Sequence, residues 1–368
     1  MASYLATVCS AVVFLFAISA PVVARADLLD DDLQTAWEVL WDQRGTPRYL
    51  IRWLKTTPVK YRIFGADHAR HKTHIQSAVD AVAQASGLKF EDVSDQPDAQ
   101  NAQLDLEVVT DAAIDRTMPC FALPRSWKNW TFTKVEVKMR TSDTWRCALH
   151  EMMHAVGLPG HPSGKTVLSY FPYRQDVLSS LDKVMLRGLY AEMPNGATPF
   201  QAIEILSRYV VLQDDLGISI TEAAQRRDLF LKNTVLSMEK FAQGGGEVPV
   251  IVRRSGRASE NHIKEARNEI AYFLGLAHSR GTIVEKNEAQ SVQWFLNSAK
   301  LSHQPSQVMA GRAYFYGRGV AIDKKEGLQW LDKAAAAGST VAKDELAQIE
   351  KTISAEDLGK LRASSIPQ

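Results

Sequence analysis

Apolar and polar residues alternate along Val-Lys-Tyr-Arg-Ile-Phe at 59–64, which predicts a half-buried strand ended by Gly65. From 68 to 85 the period changes: Ile75, Val79, Val82 and Ala83 recur at helical spacing and Gly87 supplies the stop. Residues 88–93 and 104–109 read as further strands. A cleaner one follows at 134–140, with Val135, Val137 and Met139 on one face and charged residues on the other. Ser142 and Asp143 predict a cap for a helix through Trp145, Leu149 and Met153 to Val156, with Gly157 as its stop. After a loop rich in Pro and Gly, Ser179 and Asp182 stand at capping-box spacing before Val184, Leu186 and Leu189. Thr198-Pro199 predicts another helix start, and a longer helix is expected over 220–241 before Gly244-Gly245-Gly246.

Beyond that break the chain repeats itself. Gly275, Gly281, Val284, Trp294 and Ala299 recur as Gly311, Gly317, Val320, Trp330 and Ala335, each offset by 36 residues, a period that marks stacked helical pairs. The pieces LGLAHSRGTIVEKNEAQSVQWFLNSA and AGRAYFYGRGVAIDKKEGLQWLDKAA resemble Sel-one-like repeats, relatives of the tetratricopeptide class, over about 266–345. The first unit departs at Thr282, where the second has Arg318. The resemblance implies helical hairpins that serve as a protein-binding scaffold.

Residues 5–23 form an apolar run ending in Ala24-Arg25-Ala26, the small-x-small pattern of a signal-peptidase site. The expectation is a leader over 1–26, a mature chain starting at Asp27, export to the periplasm or beyond, and no membrane span after cleavage. Cys9 leaves with the leader, and Cys120 and Cys147 then predict one disulfide, with two buried thiols as the alternative. Lys and Arg number 43 against 42 Asp and Glu, a balance that offers nothing to a nucleic acid. The expected organisation is a domain over 27–200, a helical segment over 201–243, a linker over 244–260 and repeats over 261–368.

The chemistry concentrates in His150-Glu151-Met152-Met153-His154. Residues at i and i+4 share a helix face, so both imidazoles reach one metal ion, and Glu151 is placed to deprotonate a metal-bound water. A catalytic zinc takes three protein ligands. Gly157 turns the chain and His161 lies just beyond, which makes it the first candidate, with Asp176 or Asp182 as alternatives.

HEMMHAVGLPGHP resembles the metzincin zinc-peptidase signature, except that Gly160 stands where the third histidine is expected and His161 follows it. Thr166-Val-Leu-Ser-Tyr-Phe171 resembles the Met-turn of that group, with Leu168 in the Met position. The segments PRYLIRWLKTTPVKYRIFG, RCALHEMMHAVGLP and LRGLYAEMPNGATPFQAIEIL, within about 47–205, resemble a proteobacterial domain family of unknown function, many of whose members lack one or both motif histidines. These resemblances imply an α+β domain with a mixed sheet and an active-site helix, followed by a short all-α solenoid. They imply Zn2+ on His150, His154 and His161, Glu151 as general base and Tyr170 as stabiliser of the oxyanion. They also imply an extended protein or peptide substrate paired with the strand at 134–140. The leading expectation is an exported zinc metallopeptidase whose repeats recruit a protein. The alternative is a non-catalytic periplasmic scaffold with a degenerate or structural metal site, acting through its repeats.

Two lesser patterns have plainer readings. His68, His71 and His74 suggest a second metal site or a solvated basic face, and the latter is expected. Trp127 and Trp130 suggest a substrate groove or core packing, and again the latter is expected.

Overall fold

The computed structural model describes residues 22–42, 44–169, 176–254 and 259–363. Residues 1–21 of the expected leader and Tyr170 lie outside the described residues. Helix α1 (Val22–Glu38) crosses the expected cleavage point, and beyond it Leu29, Leu33, Ala36 and Trp37 are buried in the main core. Among the described residues no helix is long and apolar enough to cross a membrane.

The strand β1 (Val59–Gly65) buries Val59, Tyr61 and Ile63, as its alternation predicts, and α2 (His68–Ser86) closes at Gly87 with φ 70°. Then come β2 (Phe90–Asp92), β3 (Leu104–Val109), β4 (Cys120–Lys128) and β5 (Thr131–Arg140). The five-stranded sheet has the order β2-β1-β3-β5-β4, parallel except for the β4–β5 hairpin. Leu104 pairs with Val135 and Leu106 with Val137, so the apolar side of β3 and β5 is in register with that of β1. On the opposite face Asp105 accepts Arg62 and Lys134, each at 2.8 Å, and Glu107 pairs with Lys138 at 2.9 Å.

This topology corrects the expectation for 134–140. Both edges of that strand are already paired, to β3 and to β4, so no extended substrate can add to it. The sheet edge on this side is β4 instead. Trp127 on β4 is exposed rather than packed in the core. Trp130, at the hairpin turn, lies 4.6 Å from the Tyr49 ring.

The helix α3 (Thr144–Ala155) follows β5 through a single 3-10 turn. Its expected side-chain cap does not form. The Asp143 carboxylate is held by Arg146 and by Arg140, and makes no cap bond. The later starts match their signals: α4 (Ser180–Ala191) has the Ser179/Asp182 capping box and α5 (Pro199–Val210) has Thr198/Gln201 with Pro199 at its first position.

After α6 (Ile220–Ala242), the stretch expected as a linker contains the short helix α7 (Val250–Arg254), whose Ile251 and Val252 are buried. They belong to the same hydrophobic core as the sheet, as do Ile270 and Phe273 of α8 (Glu260–Arg280). The hairpins continue through α9 (Glu288–Ala299), α10 (Gln304–Tyr316), α11 (Lys324–Ala336), α12 (Thr340–Glu350) and α13 (Ala355–Ala363). The repeat end is closed by Leu346, Ile349 and Leu358, which cluster with Phe315, Leu328 and Leu331.

The repeats are docked onto the α+β part. The Tyr49 and Tyr272 hydroxyls share a hydrogen bond of 2.6 Å, Arg48 pairs with Glu269 at 3.2 Å, and Arg280 donates to Gln201 at 2.9 Å.

Candidate metal centre

Residues 147–155 of α3 are buried all round, so the histidine-bearing helix lies in the interior rather than on a solvated face. It is fixed at both ends. One turn before His150, Cys147 is bonded to Cys120 at the start of β4, with Cα atoms 6.0 Å apart. This is the expected disulfide. At the C-terminal end, the orphan carbonyls of Ala155 and Val156 accept from Trp53 Nε1 at 2.9 Å and the Tyr190 hydroxyl at 2.7 Å. Burial raises the Tyr190 phenol well above its ordinary pKa, which keeps it a donor. Sequence reading missed both residues, although Trp53 and Tyr190 lie within the segments that carry the family resemblance.

Gly157 turns the chain with φ 107°, and a Cβ there would meet the Ile51 carbonyl oxygen at 2.4 Å. The departure from the signature at Gly160 has an equally local cause. A Cβ at residue 160 would lie 2.4 Å from the Glu38 carbonyl oxygen and 2.6 Å from that of Trp41. The Gly160 N–H donates to Val39 at 2.9 Å, so the loop runs hard against the end of α1 and delivers His161 one residue later.

The three imidazoles converge. His161 Nε2 lies 3.0 Å from both His150 Nε2 and His154 Nε2, and the three rings are only 7–9 % exposed. His150 Nδ1 is 2.8 Å from the Val167 carbonyl and His154 Nδ1 is 2.7 Å from that of Leu158. Carbonyl oxygens only accept, so both rings carry their proton on Nδ1 and present an Nε2 lone pair to the centre. Burial pushes the His154 pKa down to about 4, which keeps the ring neutral. His161 can donate to one of these lone pairs but not to both. A cation meets all three. Tetrahedral zinc with nitrogen ligands at about 2.0–2.1 Å sets neighbouring nitrogens about 3.3 Å apart, close to the observed spacing. The donor set therefore fits the group that the resemblance implies.

Glu151 is buried beside the cluster, with Oε1 4.0 Å from His150 Nε2. Asp182 does not join the cluster, because its carboxylate caps α4, and Asp176 lines a cavity between α2, α3 and α4. Among the described residues this is the one group of three possible metal ligands. His68 is tied to the Gly65 carbonyl and His74 to that of Trp145, in keeping with the plainer reading of that triplet. Two cavities of about 530 and 520 Å³ open elsewhere, and none of the three histidines lies in their walls.

Comparison with known proteins bears on the C-terminal part. Residues 269–303 and 304–339 each match the Sel1 repeat family. The chain carries Sel1 repeats. Among solved structures, a Sel1 repeat protein from Oxalobacter formigenes is 26 % identical over 40 % of this chain and 88 % of its own, with a TM-score of 0.23. The cysteine-rich protein B of Helicobacter pylori is 17 % identical over 39 % of this chain and 86 % of its own, with a TM-score of 0.22. A protective antigen of uropathogenic Escherichia coli, described as displaying an SLR fold, is 19 % identical over 59 % of this chain and 51 % of its own, with a TM-score of 0.25. Superpositions this loose carry no argument of their own, and the assignment rests on the repeat match. No curated protein matches the chain. Within the Sel1 repeats the recurring small positions serve packing: a Cβ at Gly275 would meet Phe295 at 2.5 Å and one at Gly311 would meet Leu331 at 2.7 Å.

Proposed function

We propose that this chain is a protein-binding scaffold that acts through its Sel1 repeats and holds zinc on His150, His154 and His161. The repeat match at 269–303 and 304–339 carries the reading. Stacked helical hairpins present extended surfaces suited to a protein partner, and Tyr316 and Ile322 stand exposed on this one. The Cys120–Cys147 bond supports an exported, oxidising location, periplasmic or secreted, as does the leader pattern. The metal ties the loop after α3 to the helix and so serves the body on which the repeats are mounted.

The test compares proteins cross-linked to the wild type in the cell envelope with those linked to Tyr316→Glu and Ile322→Glu variants. A partner held by the wild type, lost by the surface variants and kept by Glu151→Ala is the expected result. An identical partner profile from all of them would sink the scaffold reading. Zinc content of protein purified without added metal, with His154→Ala alongside, tests the metal.

One observation favours a second reading, a zinc metallopeptidase: Glu151 is buried with its carboxylate beside the three imidazoles. Zinc held by His150, His154 and His161 would supply Lewis-acid polarisation of a water and of a carbonyl oxygen. Glu151 would serve as the base that accepts a proton from the attacking water and returns it to the leaving amine. Tyr170 has the oxyanion role by resemblance alone. Hydrolysis of an unfolded protein that disappears in a folded Glu151→Ala variant supports this reading, and equal rates in the two proteins overturn it.

A further inference from the structure

We propose that two buried carboxylates outside the histidine signature, Glu38 and Asp182, are positioning residues that preorganise the metal centre. They hold the loop that carries His161 at two points beyond that residue, Ser163 and Val167. The inference rests on the zinc-site reading given above.

Glu38 is the last residue of α1 and is 2 % exposed. Its Oε2 accepts the Ser163 N–H at 2.7 Å and the Ser163 hydroxyl at 2.6 Å, while Oε1 accepts from Gln34 at 3.0 Å. Ser163 is two residues past His161, so α1 clamps the loop directly after the third imidazole.

Asp182, fully buried, acts further along the loop, at Val167. Its Oδ2 accepts from the Val167 N–H at 3.3 Å, and from the Ser179 N–H and hydroxyl at 2.9 and 2.7 Å. Val167 is thereby bonded through both of its backbone polar groups: its N–H goes to Asp182, and its carbonyl receives His150 Nδ1–H at 2.8 Å. Asp182 thus sets the acceptor that orients the first imidazole and selects its tautomer. Burying a carboxylate is costly unless donors surround it, and each of these two collects three. A cap of α4 alone explains the Ser179 bonds but not the bond to Val167. A stabilising helix end alone does not explain why Glu38 reaches across to Ser163.

The test is zinc affinity of the full chain, measured by competition with a chromophoric chelator, with circular dichroism and thermal melting of each metal-free variant. Asp182→Ala and Glu38→Ala are expected to weaken zinc binding about 10–100-fold, the usual effect of removing an outer contact of a ligand. Asp182→Asn keeps an oxygen that accepts from Val167 and is expected to recover most of the loss. Ser179→Ala removes the cap hydroxyl but leaves Asp182 on Val167, so it should lower the melting temperature and leave zinc affinity unchanged. Should Asp182→Ala not fold, Glu38→Ala decides the matter: weakened zinc binding supports the proposal and wild-type affinity overturns it.

Wild-type zinc affinity in both alanine variants overturns the proposal. So does a Ser179→Ala variant as weak as Asp182→Ala, because the effect then belongs to the cap. A wild type that binds no zinc overturns the metal-site reading together with this one, whereas tight wild-type binding with unaffected variants overturns this one alone.

Discussion

His161 Nε2 lies 3.0 Å from His154 Nε2, although one ring stands on α3 and the other beyond a glycine turn with φ 107°. His161 Nε2 can give a proton to one of the two inward lone pairs but not to both, whereas a divalent cation satisfies all three nitrogens at once. Zinc near one equivalent in the wild type, and none in His154→Ala or His161→Ala, is the expected result by mass spectrometry. Free zinc at about 100 times its dissociation constant should stabilise the wild type by about 2.7 kcal/mol and leave His161→Ala unchanged. Thermal melts with zinc and with chelator check this.

Gly160 has no room for a side chain, since a Cβ would sit 2.4 Å from the Glu38 carbonyl oxygen and 2.6 Å from that of Trp41. Gly160→Ala must push the loop off α1 and is expected to cost about 1–3 kcal/mol, the range for overpacking a tight site. Urea unfolding measures the loss. Weaker zinc binding should accompany it, because the displaced loop carries His161.

The Cys120–Cys147 bond spans 27 residues and secures α3 one turn before His150. In the chain-entropy model, closing a loop of this size stabilises by about 3.5 kcal/mol. Replacing both cysteines by serine should lower the unfolding free energy by about that amount. Reductant should do the same to the wild type and nothing further to the variant.

Burial raises the Asp182 carboxyl to about 6 from an ordinary 3.8. The folded state therefore holds a proton that the unfolded state releases between about pH 4 and 6. The stability due to this proton is complete below about pH 4 and lost as pH rises through 6, roughly 3 kcal/mol for a shift of this size. His154, lowered to about 4, acts in the opposite sense, so the total curve does not isolate Asp182. The difference between metal-free wild type and Asp182→Asn does. That difference should fall by roughly 3 kcal/mol from pH 4 to pH 7, and a flat difference would contradict the assignment.

Much of the local architecture was legible along the chain. The alternation at 59–64 became β1, the spacing from 68 to 85 became α2, and the capping residues Ser179 and Thr198 start α4 and α5. In each case the signal is a side chain acting on its own or neighbouring backbone. The 36-residue period was legible for the same reason, because each repeat closes its own hairpin and the match at 269–339 falls upon it.

Other features depended on partners far away in sequence. β4 carries no alternating pattern and contains Pro124, which cannot donate to a ladder, yet it pairs along β5 with a shifted register near that proline. Its pairing leaves 134–140 without a free edge, which the pattern of that strand alone did not foretell. Asp143 read as a cap until Arg140 and Arg146 claimed its carboxylate.

The site divides along the same line. The sequence by itself determined that His150 and His154 share a helix face, since helical geometry places i and i+4 together whatever surrounds them. Only the tertiary structure decided that His161 joins them, because its position depends on Gly160 lying against α1. It alone decided that both Nε2 lone pairs point inward, because the carbonyls of Leu158 and Val167 take the Nδ1 protons. Spacing fixes which side chains a helix aligns, but the orientation of a ring follows from what its other nitrogen touches.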